Sequence, residues 1–216
     1  MNGRSYNRCK ARFALAAVVV AVVSGCSGTG TNPPAAAGAA PSASSAARSS
    51  GSENPGQAGH PPLAEAAPVS LSIPAVETES ILIDLGLNPD GTVEVPSTEP
   101  GAPAGWYTGS PTPGELGPSI ILGHVNATDG GPGVFAGLRE LDTEDLIEVA
   151  RADGSTAVFR FTEGEQYSKS TFPSDRVYGN VPGAELRLIT CDGYNPDTGT
   201  FDDNYVVYAE LVDQTK

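Results

Sequence analysis

Leu146-Ile147-Glu148-Val149-Ala150-Arg151-Ala152-Asp153-Gly154-Ser155-Thr156-Ala157-Val158-Phe159-Arg160-Phe161 is the stretch that decides the fold. Two apolar, partly alternating runs, Leu146 to Val149 and Ala157 to Phe161, are parted by Ala152-Asp153-Gly154, and an Asp-Gly pair between strand-like runs is the chemistry of a tight hairpin turn. The same pattern recurs on both sides. Ser70 to Ile73, Ser80 to Ile83, Thr92 to Val95 and Ser119 to Leu122 precede it, and Leu186 to Cys191 and Tyr205 to Leu211 follow, with Gly, Pro and Asp between them. Eight short strands spaced by turn residues predict an all-β domain closed as a barrel or packed as a sandwich. One segment reads as helix: in Gly133 to Leu141, Val134, Leu138 and Leu141 fall on one face at spacings of four and three.

The chain has 216 residues, with 12 Lys and Arg against 26 Asp and Glu and an apolar fraction of 39%. That suits one soluble domain and excludes a large multidomain enzyme. A net charge of −14 offers no electrostatic route to phosphates, so nucleic acid is not an expected partner.

The first residues read as an address. Arg4, Arg8, Lys10 and Arg12 precede the wholly apolar run Phe13 to Val23, a charged region followed by a hydrophobic one, as in a secretory signal peptide over residues 1–25. Eleven helical residues span roughly 16 Å, about half of a hydrocarbon core, which is short for a transmembrane helix. A simply cleaved leader fits this pattern. So does lipidation, because Val23-Ser24-Gly25-Cys26 resembles the lipobox of bacterial lipoproteins, with cleavage before Cys26 and acylation of its thiol. Cleavage there leaves 8 cations against 26 acids, a balance of −18, so membrane attachment would have to come from acyl chains rather than from anionic headgroups. Residues 26–68 are rich in Ala, Pro, Gly and Ser and nearly devoid of large apolar side chains. They predict a disordered tether extending on the order of 35 Å. Residues 69–216 form the folded domain, enough for a single core and expected to act as a monomer.

Within that domain only one thiol and one imidazole remain. Cys9 leaves with the leader, Cys26 is the lipidation candidate and His60 falls in the tether, so Cys191 and His124 stand alone. A lone Cys is commonly a small buried hydrophobe and a lone His a satisfied core residue. Position argues otherwise: Cys191 ends the run Leu186-Arg187-Leu188-Ile189-Thr190 just before Asp192-Gly193, and His124 follows Ile120-Ile121-Leu122, with Gly123 allowing another backbone to approach closely. Two reactive side chains at strand ends, distant in sequence, can be joined only by the fold.

Gly123-His124-Val125-Asn126, Leu188-Ile189-Thr190-Cys191 and Val206-Val207-Tyr208-Ala209 resemble the sortases, cysteine transpeptidases of Gram-positive surfaces. Gly86 to Pro96 and Ala104-Gly105-Trp106-Tyr107 are similar to the actinobacterial branch called class F. The resemblance implies a closed eight-stranded β-barrel with one or two short helices. It implies Cys191 as the nucleophile and His124 as the acid and base. The substrate would be an LPXTG-type sorting signal, cut between Thr and Gly, and the acceptor an amine of a peptidoglycan precursor or a pilin. The setting would be the outer face of the membrane. No metal or other cofactor is called for. Acidic pairs such as Glu144-Asp145 and Asp202-Asp203 lack EF-hand spacing and read as a solvated face.

The chain departs from the family at one place. Sortases carry an Arg on the final strand about thirteen residues after the Cys, but that count lands on Asn204 here, and no Arg follows Asp192. An Asn amide donates hydrogen bonds to an oxyanion without bringing charge. Arg187, on the same face of its strand as Cys191 by alternation, is assigned to the substrate groove, though a strand Arg facing acidic neighbours is an equal reading. Thr190 could donate beside the nucleophile, or be an ordinary strand Thr. Ile189 completes the candidate substrate-binding group.

Overall fold

The computed structural model describes residues 60–216. The leader (1–25), Cys26 and the tether up to residue 59 lie outside the described residues. Eight strands close into a barrel: β1 (Pro68–Ile73), β2 (Thr78–Leu85), β3 (Ala104–Tyr107), β4 (Gly117–Leu122), β5 (Leu146–Arg151), β6 (Thr156–Ser168), β7 (Ala184–Asn195) and β8 (Thr200–Thr215). Around the barrel they run β1-β2-β3-β4-β7-β8-β6-β5. The β2/β3 and β4/β7 pairs are parallel and the other six antiparallel. Closure leaves no edge strand with unpaired backbone groups.

The hairpin quoted above is β5 and β6, with Gly154 at φ +83° in its turn. Inward side chains fill the barrel: Leu71, Ile73, Ile121, Ile147, Val149, Phe159, Leu186, Leu188, Val207 and Leu211 are all but fully buried. A second, smaller cluster lies on the other face of the central strands. Ile120 and Leu122 of β4, Ile189 of β7 and Val206 and Tyr208 of β8 meet Val177 of α1 (Ser174–Tyr178), the one α-helix among the described residues. Strand alternation assigns each residue to one cluster or the other, and β4, β7 and β8 are buried on both faces.

Three segments differ from the sequence expectation. Thr92 to Val95 is not a ladder strand, since only Val93 bridges back to Leu87. Asp90 accepts hydrogen bonds from the Thr92 amide and hydroxyl, Asn88 donates to the Val93 carbonyl, and Gly91 takes φ +81°, so the segment folds on itself and ends at Pro96. The eighth strand is instead Ala104–Tyr107, paired in parallel to β2. Gly133 to Leu141 is a chain of i→i+3 turns, with a 3₁₀ turn only at Leu138–Glu140. Its fully anchored side chains are Phe135, Leu138 and Leu141, a spacing of three that matches the 3₁₀ period rather than 3.6. Gly133 and Gly137 weaken any α-helix there.

The tether boundary also differs. Residues 60–67 lie along the barrel rather than in a disordered coil. The His60 amide donates to the Leu211 carbonyl (3.3 Å), the Leu63 amide donates to the Gly114 carbonyl (2.8 Å) while its side chain packs against the core, and the Ala66 amide donates to the Thr112 hydroxyl (3.1 Å). Leu63 is the first large apolar side chain after a long run of small and polar residues.

Candidate active site

Parallel pairing of β4 with β7 runs Ile120↔Arg187, Ile121↔Leu188 and Leu122↔Ile189, and the Gly123 amide then donates to the Ile189 carbonyl at 3.1 Å. The ladder ends there, two residues short of His124 on one strand and of Cys191 on the other. On the far side β7 pairs with β8, with Cys191 directly opposite Asn204, and β8 pairs with β6, with Asn204 opposite Tyr167. Directly paired residues share a face. The row Cys191, Asn204, Tyr167 therefore crosses three adjacent strands at one end of the barrel, over the floor made by Ile189, Val206 and Val177, and His124 lies in the loop that leaves β4.

The Cys191 thiol is partly exposed at the rim and forms no disulfide. It is not an entombed hydrophobe. The His124 ring is also partly exposed, and its Nε2 lies 2.9 Å from the Pro96 carbonyl oxygen. A carbonyl only accepts, so Nε2 carries a proton there and Nδ1 is the nitrogen left to exchange one. Around the ring, Ser97, Thr98, Glu99, Asn126 and Val134 line a shallow depression. Gly133 holds the His124 backbone closely: the Gly133 amide donates to Val125 and the Phe135 amide to the His124 carbonyl. Gly123 admits not another backbone, as the sequence suggested, but the side chains of Phe135 and Val134, which a Cβ would meet at 2.5 and 2.7 Å.

The candidate substrate-binding residues fare differently. Asn204 is buried beside Cys191. Ile189 lies on the face of Cys191 but is covered, forming the floor beneath it. Thr190 points the opposite way, with its hydroxyl buried and no hydrogen-bond partner in the structure, so its side chain does not reach the groove. Arg187 is 3% exposed. Its guanidinium pairs with Glu185, donates to the Leu186 carbonyl and stacks over the Tyr208 ring, 4.4 Å from the centroid. The groove assignment is corrected accordingly: Arg187 is held by an acidic neighbour and an aromatic face, and is buried away from any ligand.

Two cations near the thiol went unnoticed in the sequence. Arg139 pairs with Asp192, hydrogen-bonds Gln166 and lies over the Tyr205 ring at 4.4 Å. Lys169 stands in the 3₁₀ turn Lys169–Thr171 that follows β6, with its Nζ 3.8 Å from Cys191 Sγ and 2.6 Å from the Phe201 carbonyl oxygen. Nothing in Gln166-Tyr167-Ser168-Lys169-Ser170-Thr171 marks it. Only the β6/β8 register, which sets Ser168 opposite Asp203, carries it to the site.

Burial raises the phenol pKa values of Tyr167 and Tyr208 above the ordinary range, and Tyr167 also donates a hydrogen bond to Glu165. Both phenols stay neutral under physiological conditions and serve as wall rather than as acid or base.

The family model for the sortase domain matches residues 71–212. Solved structures with the same fold include sortase A from Corynebacterium diphtheriae (20% identity, TM-score 0.51, covering 69% of this chain and 63% of that one) and Listeria monocytogenes sortase A (19%, 0.51, 71% and 91%). Streptococcus pneumoniae sortase C, whose structure bears on catalysis and pilin substrate specificity, matches at 16% identity and TM-score 0.51, covering 67% of each chain. Among curated proteins none matches.

Proposed function

The chain belongs to the sortase family, and from that premise we propose that it is a surface cysteine transpeptidase of the actinobacterial class F type, using Cys191 and His124. The single observation that supports the reading is the strand register: β8 sets Asn204 opposite a partly exposed Cys191, and the β4/β7 ladder ends at Leu122↔Ile189, two residues before His124 and Cys191.

A thiol is a strong nucleophile once deprotonated, although only a few per cent of an ordinary one is thiolate at neutral pH. The sulfur attacks the Thr carbonyl carbon of an LPXTG-type signal, and the carbonyl electron pair moves to oxygen. Collapse of this adduct expels the Gly amine, which takes a proton from the imidazolium of His124 and leaves a thioester on Cys191. An amine of a peptidoglycan precursor or a pilin then attacks the thioester carbon and gives its proton to His124. Collapse of this second adduct breaks the Sγ–C bond, so Cys191 leaves as thiolate beside the protonated His124, as before acylation, and the new bond is an amide. Asn204, opposite Cys191 in the β7/β8 register, is a side-chain donor to the developing oxyanion in this scheme. A lipid on Cys26, followed by the tether, would hold the domain at the outer membrane face.

A second reading has its own observation. With Asn at 204 in place of the family's Arg, the domain could bind wall peptide or a protein partner without turnover. Mass spectrometry separates the two. Incubated with an LPXTG peptide, the protein should gain a thioacyl adduct on Cys191 that hydroxylamine removes. A folded protein that gains no adduct would establish the binding module instead.

A further inference from the structure

Resting on that reading, we propose that Lys169 is a catalytic residue of this site, its ammonium supplying the positive charge at the reacting sulfur that the final strand lacks. Between Asp192 and Gln214 the chain carries no Lys or Arg at all, so the strand that bears Asn204 offers no cation. Lys169 reaches the sulfur from the neighbouring strand. It follows Ser168, which is paired with Asp203, and two residues earlier Tyr167 is paired with Asn204. Its Nζ therefore extends past the short Asn204 side chain to lie 3.8 Å from Sγ, and it is fixed there by the Phe201 carbonyl at 2.6 Å.

The other nearby cation is already engaged. Arg139 is paired to Asp192 and stacked on Tyr205, both of which alternate to the opposite face from Cys191. His124 approaches from β4, the other flank, with Nε2 on Pro96. In this proposal the imidazole moves protons and the ammonium, 3.8 Å from the sulfur, does not.

In the acylation step an ammonium at this distance favours the thiolate before attack and stabilises the negative charge that passes to the carbonyl oxygen. The Sγ–C bond forms, the C–N bond of the signal breaks and the amine takes its proton from His124. Lys169 forms no covalent bond and neither gains nor loses a proton. A long side chain reaching over position 204 has a steric corollary: Arg at 204 would compete for the same space and repel the ammonium, so it should help only where Lys169 has been removed.

Four proteins test this: wild type, Lys169→Met, Lys169→Arg, and Lys169→Met combined with Asn204→Arg. Two rates are read on each, thioacyl adduct formation with an LPXTG peptide and Cys191 alkylation by iodoacetamide as a function of pH. The other titratable or charged groups around Cys191, His124 after β4 and Arg139, Asp192 and Asp203 on the reverse face of β7 and β8, are common to all four proteins, so a shifted profile reports residue 169. Lys169→Met should acylate roughly 10²-fold more slowly and shift alkylation to higher pH, Lys169→Arg should keep most of the rate, and the double variant should recover part of it. Acylation by Lys169→Met within twofold of wild type would overturn the proposal while leaving the transpeptidase reading intact. An equal loss in Lys169→Arg and Lys169→Met would also overturn it, since charge would not be the property required. If wild type forms no adduct, the transpeptidase reading falls, and alkylation decides alone: a shifted profile in Lys169→Met supports the charge assignment and an unchanged one overturns it.

Discussion

Gly133 stands where there is room only for hydrogen. A Cβ there would lie 2.2 Å from the His124 carbonyl oxygen and 2.9 Å from the Asn126 amide nitrogen, both backbone atoms that cannot step aside. Gly133→Ala should therefore cost about 1–3 kcal/mol of stability and, by displacing the His124 backbone, slow acylation further; denaturant unfolding and adduct formation measure the two effects, and an unchanged melting curve would remove this account of how the imidazole is held. Cys191 and His124 themselves are only partly buried, so Cys191→Ala should abolish the adduct and His124→Ala cut it by several orders of magnitude, with little loss of stability in either. Retained turnover by Cys191→Ala would end the mechanism. Arg187 is the reverse case: Arg187→Ala should cost about 3 kcal/mol, the low end for a broken buried ion pair because Glu185 keeps contact with water, with KM for the peptide unchanged. At this scale the nucleophile and the imidazole were legible because a reactive side chain where a strand opens into a loop is conspicuous. Lys169 was not legible, being one Lys in a polar loop whose importance comes from a neighbour 22 positions away.

Elements whose signal is local were readable, and elements fixed by distant pairing were not. The β5/β6 hairpin announces itself through alternation and an Asp-Gly turn, whereas β3 is four residues, Ala-Gly-Trp-Tyr, that become a strand only by lying parallel to β2. Thr92 to Val95 has strand composition, yet Asn88 and Asp90 bond its backbone first. Five-residue α1 is too short to show a period, and only one of its side chains is fully buried. Val177 is fully buried against Ile189, Val206 and Tyr208, so α1 is the lid of the cluster beneath Cys191. Val177→Ala should cost on the order of 1–3 kcal/mol, somewhat less than a buried Leu→Ala. The loss should be uneven: amide exchange should quicken across residues 172–179 while β5 and β6 keep their protection. Uniform loss of protection would mean that α1 unfolds only with the barrel.

At the scale of the whole molecule, closing the barrel buries polar groups along with apolar ones, and the tyrosines record it. Tyr167, Tyr178, Tyr205 and Tyr208 all have phenol pKa values raised above the ordinary one of about 10, in each case chiefly through burial. Tyr208, Tyr167 and Tyr178 belong to or pack against the cluster beneath Cys191, and Tyr205 lies on the opposite face of β8, so three of the four report on the side of the barrel that carries the site. The sign follows from linkage. Above pH 10 the unfolded chain loses phenolic protons that the folded chain still holds, so the native state binds more protons and unfolding becomes easier as pH rises. This contribution is fully present below about pH 10 and is lost as pH climbs toward the native values. An alkaline absorbance titration should therefore show a late group of ionisations in the native protein that merges with the early group in denaturant, and the unfolding free energy should decline over the same interval. If every tyrosine titrates in one early step while circular dichroism still reports an intact barrel, the phenols are open to water, and the packing of β8 against its neighbours cannot be as described.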